Sequence, residues 1–147
     1  MGVDDQRDDR PDDRRDDAAR RAAGADDPDA AYAAFRRGSA LLAEAHPHAA
    51  AAPLERARDL EPDQASIREA LARAYFRVAR FADAETEFAR ALELDPVNDD
   101  ALFGLGLCRV RLGDPIGARG YLRRAVAMRP EAVHYRDALD ALGPAEA

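Results

Sequence analysis

The chain of 147 residues contains no lysine, so all 22 of its basic residues are arginine, set against 29 Asp and Glu for a net charge of −7. Without lysine a phosphate-binding P-loop cannot be built, because the motif relies on a Lys cation at the β and γ phosphates. The acidic balance also makes nucleic acid a poor partner, since phosphate backbones draw on clustered positive charge. A single cysteine, Cys108, allows no internal disulfide and fits a reducing compartment. No uncharged run approaches the roughly 18 residues of a membrane span. The Asp-rich start also lacks the basic-then-apolar order of a secretory signal. The expectation is a cytoplasmic protein with neither nucleic acid nor membrane as partner.

Chemistry-bearing clusters are equally sparse. His46 and His48 stand two apart in a turn, with His134 far along the chain, a spacing that matches no zinc site of three or four ligands. Cys108 lies inside the helical phrase Leu105-Gly106-Leu107-Cys108 and reads as a small buried residue. Gly104-x-Gly106 lacks the third glycine and the strand-to-helix setting of a dinucleotide site. No catalytic residue, metal or cofactor is expected, and the chain does not read as an enzyme.

What is present is a beat. Pro62, Pro96 and Pro130 recur every 34 residues, closing the phrases Leu60-Glu61-Pro62, Leu94-Asp95-Pro96 and Met128-Arg129-Pro130, with Ala57, Ala91 and Ala125 five positions earlier. A fixed period of this length marks stacked helical units, none of which can bury its apolar face alone. The first helix is expected over about Asp29–Ala45, after an Asp27-Pro28 start, and His46-Pro47-His48 ends it. The second should begin near Ala50, so that Pro53 falls in its first turn. Asp63 is placed to cap a third helix through about Val78, and Phe81–Leu94 forms the fourth. Asn98 caps the fifth, with Asp99 and Asp100 favoured by the macrodipole of its first turn, and Gly113 ends it. Asp114-Pro115 restarts the chain to about Met128, and a last helix runs over about Ala132–Leu142 before Gly143-Pro144.

Residues 1–29 differ in kind. They hold 6 Arg against 11 Asp, a net of −5, with no aromatic residue. Such a segment buries too little apolar surface to offset its ordering entropy and is expected to be a disordered polyampholyte, with at most a short helix over Ala18–Ala23.

Over residues 31–132 the columns resemble tetratricopeptide repeats. The small-residue column holds Gly38, Ala72 and Gly106; the alanine column holds Ala50, Ala84 and Ala118, followed four positions later by Leu54, Phe88 and Leu122. The leucine column holds Arg37, Leu71 and Leu105 and the tyrosine column Leu41, Tyr75 and Arg109, so that Arg37 and Arg109 depart from the pattern. The phrase from Ser66 to Phe76 also resembles small three-repeat proteins of GC-rich actinobacteria. The resemblance implies an all-α, right-handed solenoid. Its three helix pairs would be residues 31–64, 65–98 and 99–132, followed by a capping helix, residues 132–142, in a domain spanning 30–147. In that cap Val133, Arg136, Leu139 and Leu142 are expected to face inward, and His134, Asp137 and Asp140 to face water.

The same resemblance implies a protein-interaction module whose first helices line a concave groove. About 100° round each helix from the packing columns lie Tyr32, Phe35, Ser39 and Leu42, then Ser66, Glu69, Arg73 and Phe76, then Asp100, Phe103, Leu107 and Val110. This largely apolar set is expected to take a peptide or protein segment. Repeat proteins that clamp a chaperone's C-terminal carboxylate use Lys, Arg and Asn where this chain has Phe35, Ser39, Ala70, Asp100 and Gly104, which excludes that mode. The alternatives are a homodimer whose groove is occupied by its own neighbour, and an export or secretion chaperone.

Overall fold

The computed structural model describes residues 27–145. The residues expected to form the disordered arm, and the short helix over Ala18–Ala23, lie outside the described residues except for Asp27, Pro28 and Asp29. Among the described residues there are seven α-helices and no strand: α1 (Ala30–Ala43), α2 (Pro47–Leu60), α3 (Ala65–Arg77), α4 (Phe81–Leu94), α5 (Asp99–Arg111), α6 (Pro115–Met128) and α7 (Val133–Asp140). They pack as the antiparallel pairs α1/α2, α3/α4 and α5/α6. Each pair stacks on the next, α7 covers the end, and α1, α3 and α5 stand side by side. This is the solenoid that the columns implied.

The columns explain the pairing. A Cβ on Gly38 would lie 2.4 Å from Leu54 Cγ, and one on Gly106 would lie 2.6 Å from Leu122 Cδ2. Only a small residue lets the two helices of a pair cross this closely, and Ala72, fully buried, serves in the middle pair. Ala50, Ala84 and Ala118, and likewise Ala57, Ala91 and Ala125, are fully buried along the second helices. Leu54, Phe88 and Leu122 fill the space between, each such burial contributing about 1.5–3 kcal/mol.

The turn inside each pair is also periodic. Ala45 (φ 62°), Ala79 (φ 62°) and Gly113 (φ 81°) all adopt the left-handed conformation. The amide after each bonds five residues back, His46 to Leu41, Arg80 to Tyr75 and Asp114 to Arg109, closing the helix ends in Schellman fashion. Glycine signals this conformation in the third turn; alanine hides it in the other two.

Two helix starts differ from expectation. α2 begins at Pro47, a position where the missing N–H costs nothing, and Pro53 therefore sits inside the helix, where it cannot donate to the carbonyl of Ala49. Asp63 does not cap α3; its carboxylate pairs instead with Arg90 at 3.0 Å, and Gln64 takes the cap position without a side-chain bond. Asn98 accepts from the Ala101 amide at 2.9 Å, as the sequence predicts, and Asp114 accepts from the Gly117 amide at 2.9 Å.

One departure from the repeat pattern, Arg109, is compensated. Arg109 stands where Tyr75 stands one pair earlier, and Asp114 where Arg80 stands. The Tyr75 ring carries the Arg80 guanidinium 4.3 Å from its centroid. Arg109 instead reaches Glu85 of the preceding pair at 2.9 Å and Asp114 at 3.4 Å. The exchange replaces a cation over a ring by an ion pair at the same two places.

The cap keeps Leu139 and Leu142 partly buried and His134, Asp137 and Asp140 exposed, as expected, but Val133 and Arg136 face outward. Val133 is 68% exposed, whereas Tyr135 is fully buried against Leu102, Ala125 and Ala132. The helix starts only at Val133, which aims its first turn outward and places Tyr135 over the apolar end of α5 and α6. The Tyr135 hydroxyl lies 2.6 Å from both Asp99 Oδ2 and Asp100 Oδ1, sharing one proton between two carboxylates. Burial first, and then these acceptors, push the phenol's pKa up.

Candidate functional site

The concave face is built by α1, α3 and α5, and two adjoining cavities run along it. The first, of about 400 Å³, lies between α1 and α3 and is lined by Phe35, Ser39, Leu42, Ser66 and Ala70 among others. The second, of about 370 Å³, lies between α3 and α5 and is lined by Phe76, Phe103, Leu107, Asp100 and His134 among others. Glu69, Arg73 and Arg77 line both, so they form the ridge at the middle of the groove.

Most of the residues singled out in the sequence meet here, with different degrees of exposure. Phe35 is half-buried and turns its far side to a third hollow beside Tyr32 and Ile67. Tyr32 is 62% exposed, with the Arg36 guanidinium 5.8 Å from its ring centroid. Leu42 touches the first cavity but is only 6% exposed, because it packs into the core shared by the first two pairs. Phe76 is half-buried, edge-on to Phe81 at 5.1 Å. Phe103 is half-buried, with ring centroids 5.2 Å from His134 and 4.7 Å from Tyr135. Val110, 39% exposed near the end of α5, is not among the side chains lining these two cavities.

Three features of the groove were missed in the sequence. Arg77 follows Arg73 by one helical turn on the same face, and its Nη1 donates to the Leu42 carbonyl at 2.8 Å. His134 belongs to the capping helix and was expected only to face water. Gly104 sits in the floor, where a Cβ would lie 2.4 Å from Phe88 Cζ. Its absence lets the Phe88 ring rise from the neighbouring pair into the groove lining. A glycine inside a helix, which costs about 1 kcal/mol relative to alanine, was the available signal.

The charges of the ridge are not equivalent. Glu69 accepts from the Asn98 amide at 3.0 Å, and Asp100 accepts from Tyr135. Arg73 is exposed and, among the described residues, has neither a hydrogen bond nor an ion pair. Cys108 lies away from this ridge, fully buried, and burial, together with the charge of Glu85, pushes its thiol pKa up to about 12, against the smaller opposing effect of Arg109. His46 and His48 are exposed at the start of α2. Among the described residues no helix is long and apolar enough to cross a membrane.

A family model for the tetratricopeptide repeat matches residues 69–133. Cellulose synthase 2 operon protein C of Komagataeibacter xylinus is 45% identical over 60 residues, which are 40% of this chain and 5% of that protein, so the chain spans about a twentieth of this relative's length. Among solved structures, the first tetratricopeptide domain of Spaghetti (RPAP3), bound to an HSP90 peptide, superposes with a TM-score of 0.74 at 22% identity, covering 79% of this chain and 92% of that one. MamA superposes with a TM-score of 0.75 at 20% identity, covering 85% of this chain and 73% of that one. The family match over residues 69–133, the three stacked pairs and the 34-residue columns agree that the chain has the tetratricopeptide repeat fold.

Proposed function

We propose that the chain is a non-catalytic interaction module that takes an extended segment of a protein partner in the groove along α1, α3 and α5. The observation that carries this reading is the pair of adjoining cavities, each with half-buried aromatic side chains, Phe35 in one and Phe76 and Phe103 in the other. Partly exposed aromatic rings beside a cleft are what a partner's apolar side chains displace water from. The structure bound to an HSP90 peptide uses the same fold to hold a peptide, which supports the reading by analogy. The test is selection of 12-residue peptides on the immobilised full chain, followed by titration of the selected peptides against Phe103→Ser. Loss of binding with the helical circular dichroism signal retained supports the groove; unchanged binding sinks it.

Self-association is the second reading, favoured by the apolar side chains left exposed, Ile116 at 86% and Val97 at 73%. Light scattering after gel filtration separates the two, because a chain that stays monomeric at high concentration cannot occupy its own neighbour's groove.

A further inference from the structure

From the asymmetry of the central ridge we infer that the groove selects a segment with an internal acidic side chain between two apolar anchors, an inference that rests on the peptide-binding reading above. Six other arginines, Arg58, Arg68, Arg80, Arg90, Arg109 and Arg129, each hold a carboxylate of this chain. Arg73 holds none, and Arg77 spends one donor on a backbone carbonyl, leaving four of the five N–H donors of a guanidinium. The neighbouring carboxylates are engaged elsewhere, Glu69 by Asn98 and Asp100 by Tyr135. The groove thus presents two cations that hold no carboxylate among the described residues, in a chain of net charge −7.

The position of these cations decides the kind of anion. Arg73 and Arg77 line both cavities, so an apolar hollow lies on either side of them. A terminal carboxylate seated at Arg73 would leave one hollow empty, whereas a side-chain carboxylate lets the ligand continue in both directions. Neighbouring helices pack about 8–10 Å apart and an extended chain rises about 3.3 Å per residue, so the two anchors fall about three residues apart. A charge-assisted hydrogen bond to Arg73 gives the acid its place in the register as well as affinity.

Fluorescence anisotropy of labelled peptides on the full-length chain tests this. The probe is a Ser/Gly peptide carrying Phe-Asp-Ser-Leu. Its three controls carry Asn for Asp, Ser for both anchors, or a chain end placed directly after Asp. At low salt the probe should bind about five- to tenfold more tightly than its Asn control. The gap should close in Arg73→Ala and shrink with added salt. Equal affinity of the Asp and Asn peptides overturns the acidic preference while leaving the groove intact. Tighter binding of the peptide that ends after Asp overturns the internal position. Failure of all four peptides to give binding that Phe103→Ser removes overturns both this inference and the reading it rests on.

Discussion

The Arg58 guanidinium on α2 lies 2.8 Å from the carboxylate of Glu87 on α4, a residue only 4% exposed. Arg68 on α3 completes a triad at 2.9 Å, so that one buried charge joins the first two helix pairs. Thirty-four residues further on the same three places hold Leu92, Leu102 and Tyr121, which pack in the apolar cluster beneath the cap. The two interfaces of the solenoid therefore solve one packing problem with opposite chemistry. Removing one partner of a buried pair strands the others, so Glu87→Ala should cost about 3 kcal/mol in urea unfolding. Replacing all three with their downstream equivalents, Arg58→Leu, Arg68→Leu and Glu87→Tyr, should bring stability back to wild type or above. A triple variant no better than Glu87→Ala would refute the equivalence.

The left-handed turns give a prediction of opposite sign. An L residue in this conformation is strained by about 1–2 kcal/mol, part of which glycine returns in chain entropy. Ala45→Gly and Ala79→Gly should each stabilise by about 0.5 kcal/mol. Gly113→Ala should destabilise by a similar amount. Thermal melts of the three variants would settle it, and a loss of stability in Ala79→Gly would contradict the turn geometry.

Gly104 tests the floor of the groove. A methyl group there meets the Phe88 ring at 2.4 Å. Gly104→Ala should therefore destabilise by about 1–3 kcal/mol through overpacking, although alanine has the higher helix propensity. The paired change Gly104→Ala with Phe88→Leu should recover much of the loss. If the single variant is instead more stable, the ring does not occupy that floor.

Cys108 should be inert towards thiol reagents in the native chain and react only on unfolding. Its folded pKa is raised from 9.0 to about 12, so the neutral thiol of the native state is matched by a neutral thiol in the unfolded chain below pH 9. Above pH 9 the unfolded chain ionises first, and the contribution is lost as pH rises towards 12. Urea midpoints measured across that window should fall faster for the wild type than for Cys108→Ala. Parallel declines would remove the thiol as a cause.

The fold was legible because its period is covalent information. Helices cross where Gly38, Ala72 and Gly106 recur, and α4 and α6 end where the sequence says they do. What was not legible turned on competition between partners. Asp63 has the right chemistry for a cap, but a guanidinium brought near by tertiary packing claimed it. Pro53 suits a first turn, but Pro47 already occupies that turn. In the groove, helical spacing located the face carrying Phe35, Arg73, Phe76 and Phe103 but could not say how far each side chain sinks. Leu42 and Val133 differ from expectation because burial depends on neighbours distant in sequence, and the cap's contribution of His134 comes from outside the repeat altogether.

Pro53, Glu87 and Tyr121 occupy one place in the second helix of successive pairs, which holds a break in the hydrogen-bond ladder in the first pair, a buried charge in the second and an aromatic ring in the third. In an array held by nearest-neighbour contacts, cooperativity should concentrate where those contacts are apolar and the hydrogen-bond ladder is unbroken. The order in which the pairs become protected would then be the reverse of the order in which a ribosome makes them. Native-state hydrogen exchange should find the slowest amides in α5 and α6 and the fastest helical ones in α2; the opposite ranking would show that the buried triad, and not the apolar cluster, is the nucleus of the solenoid.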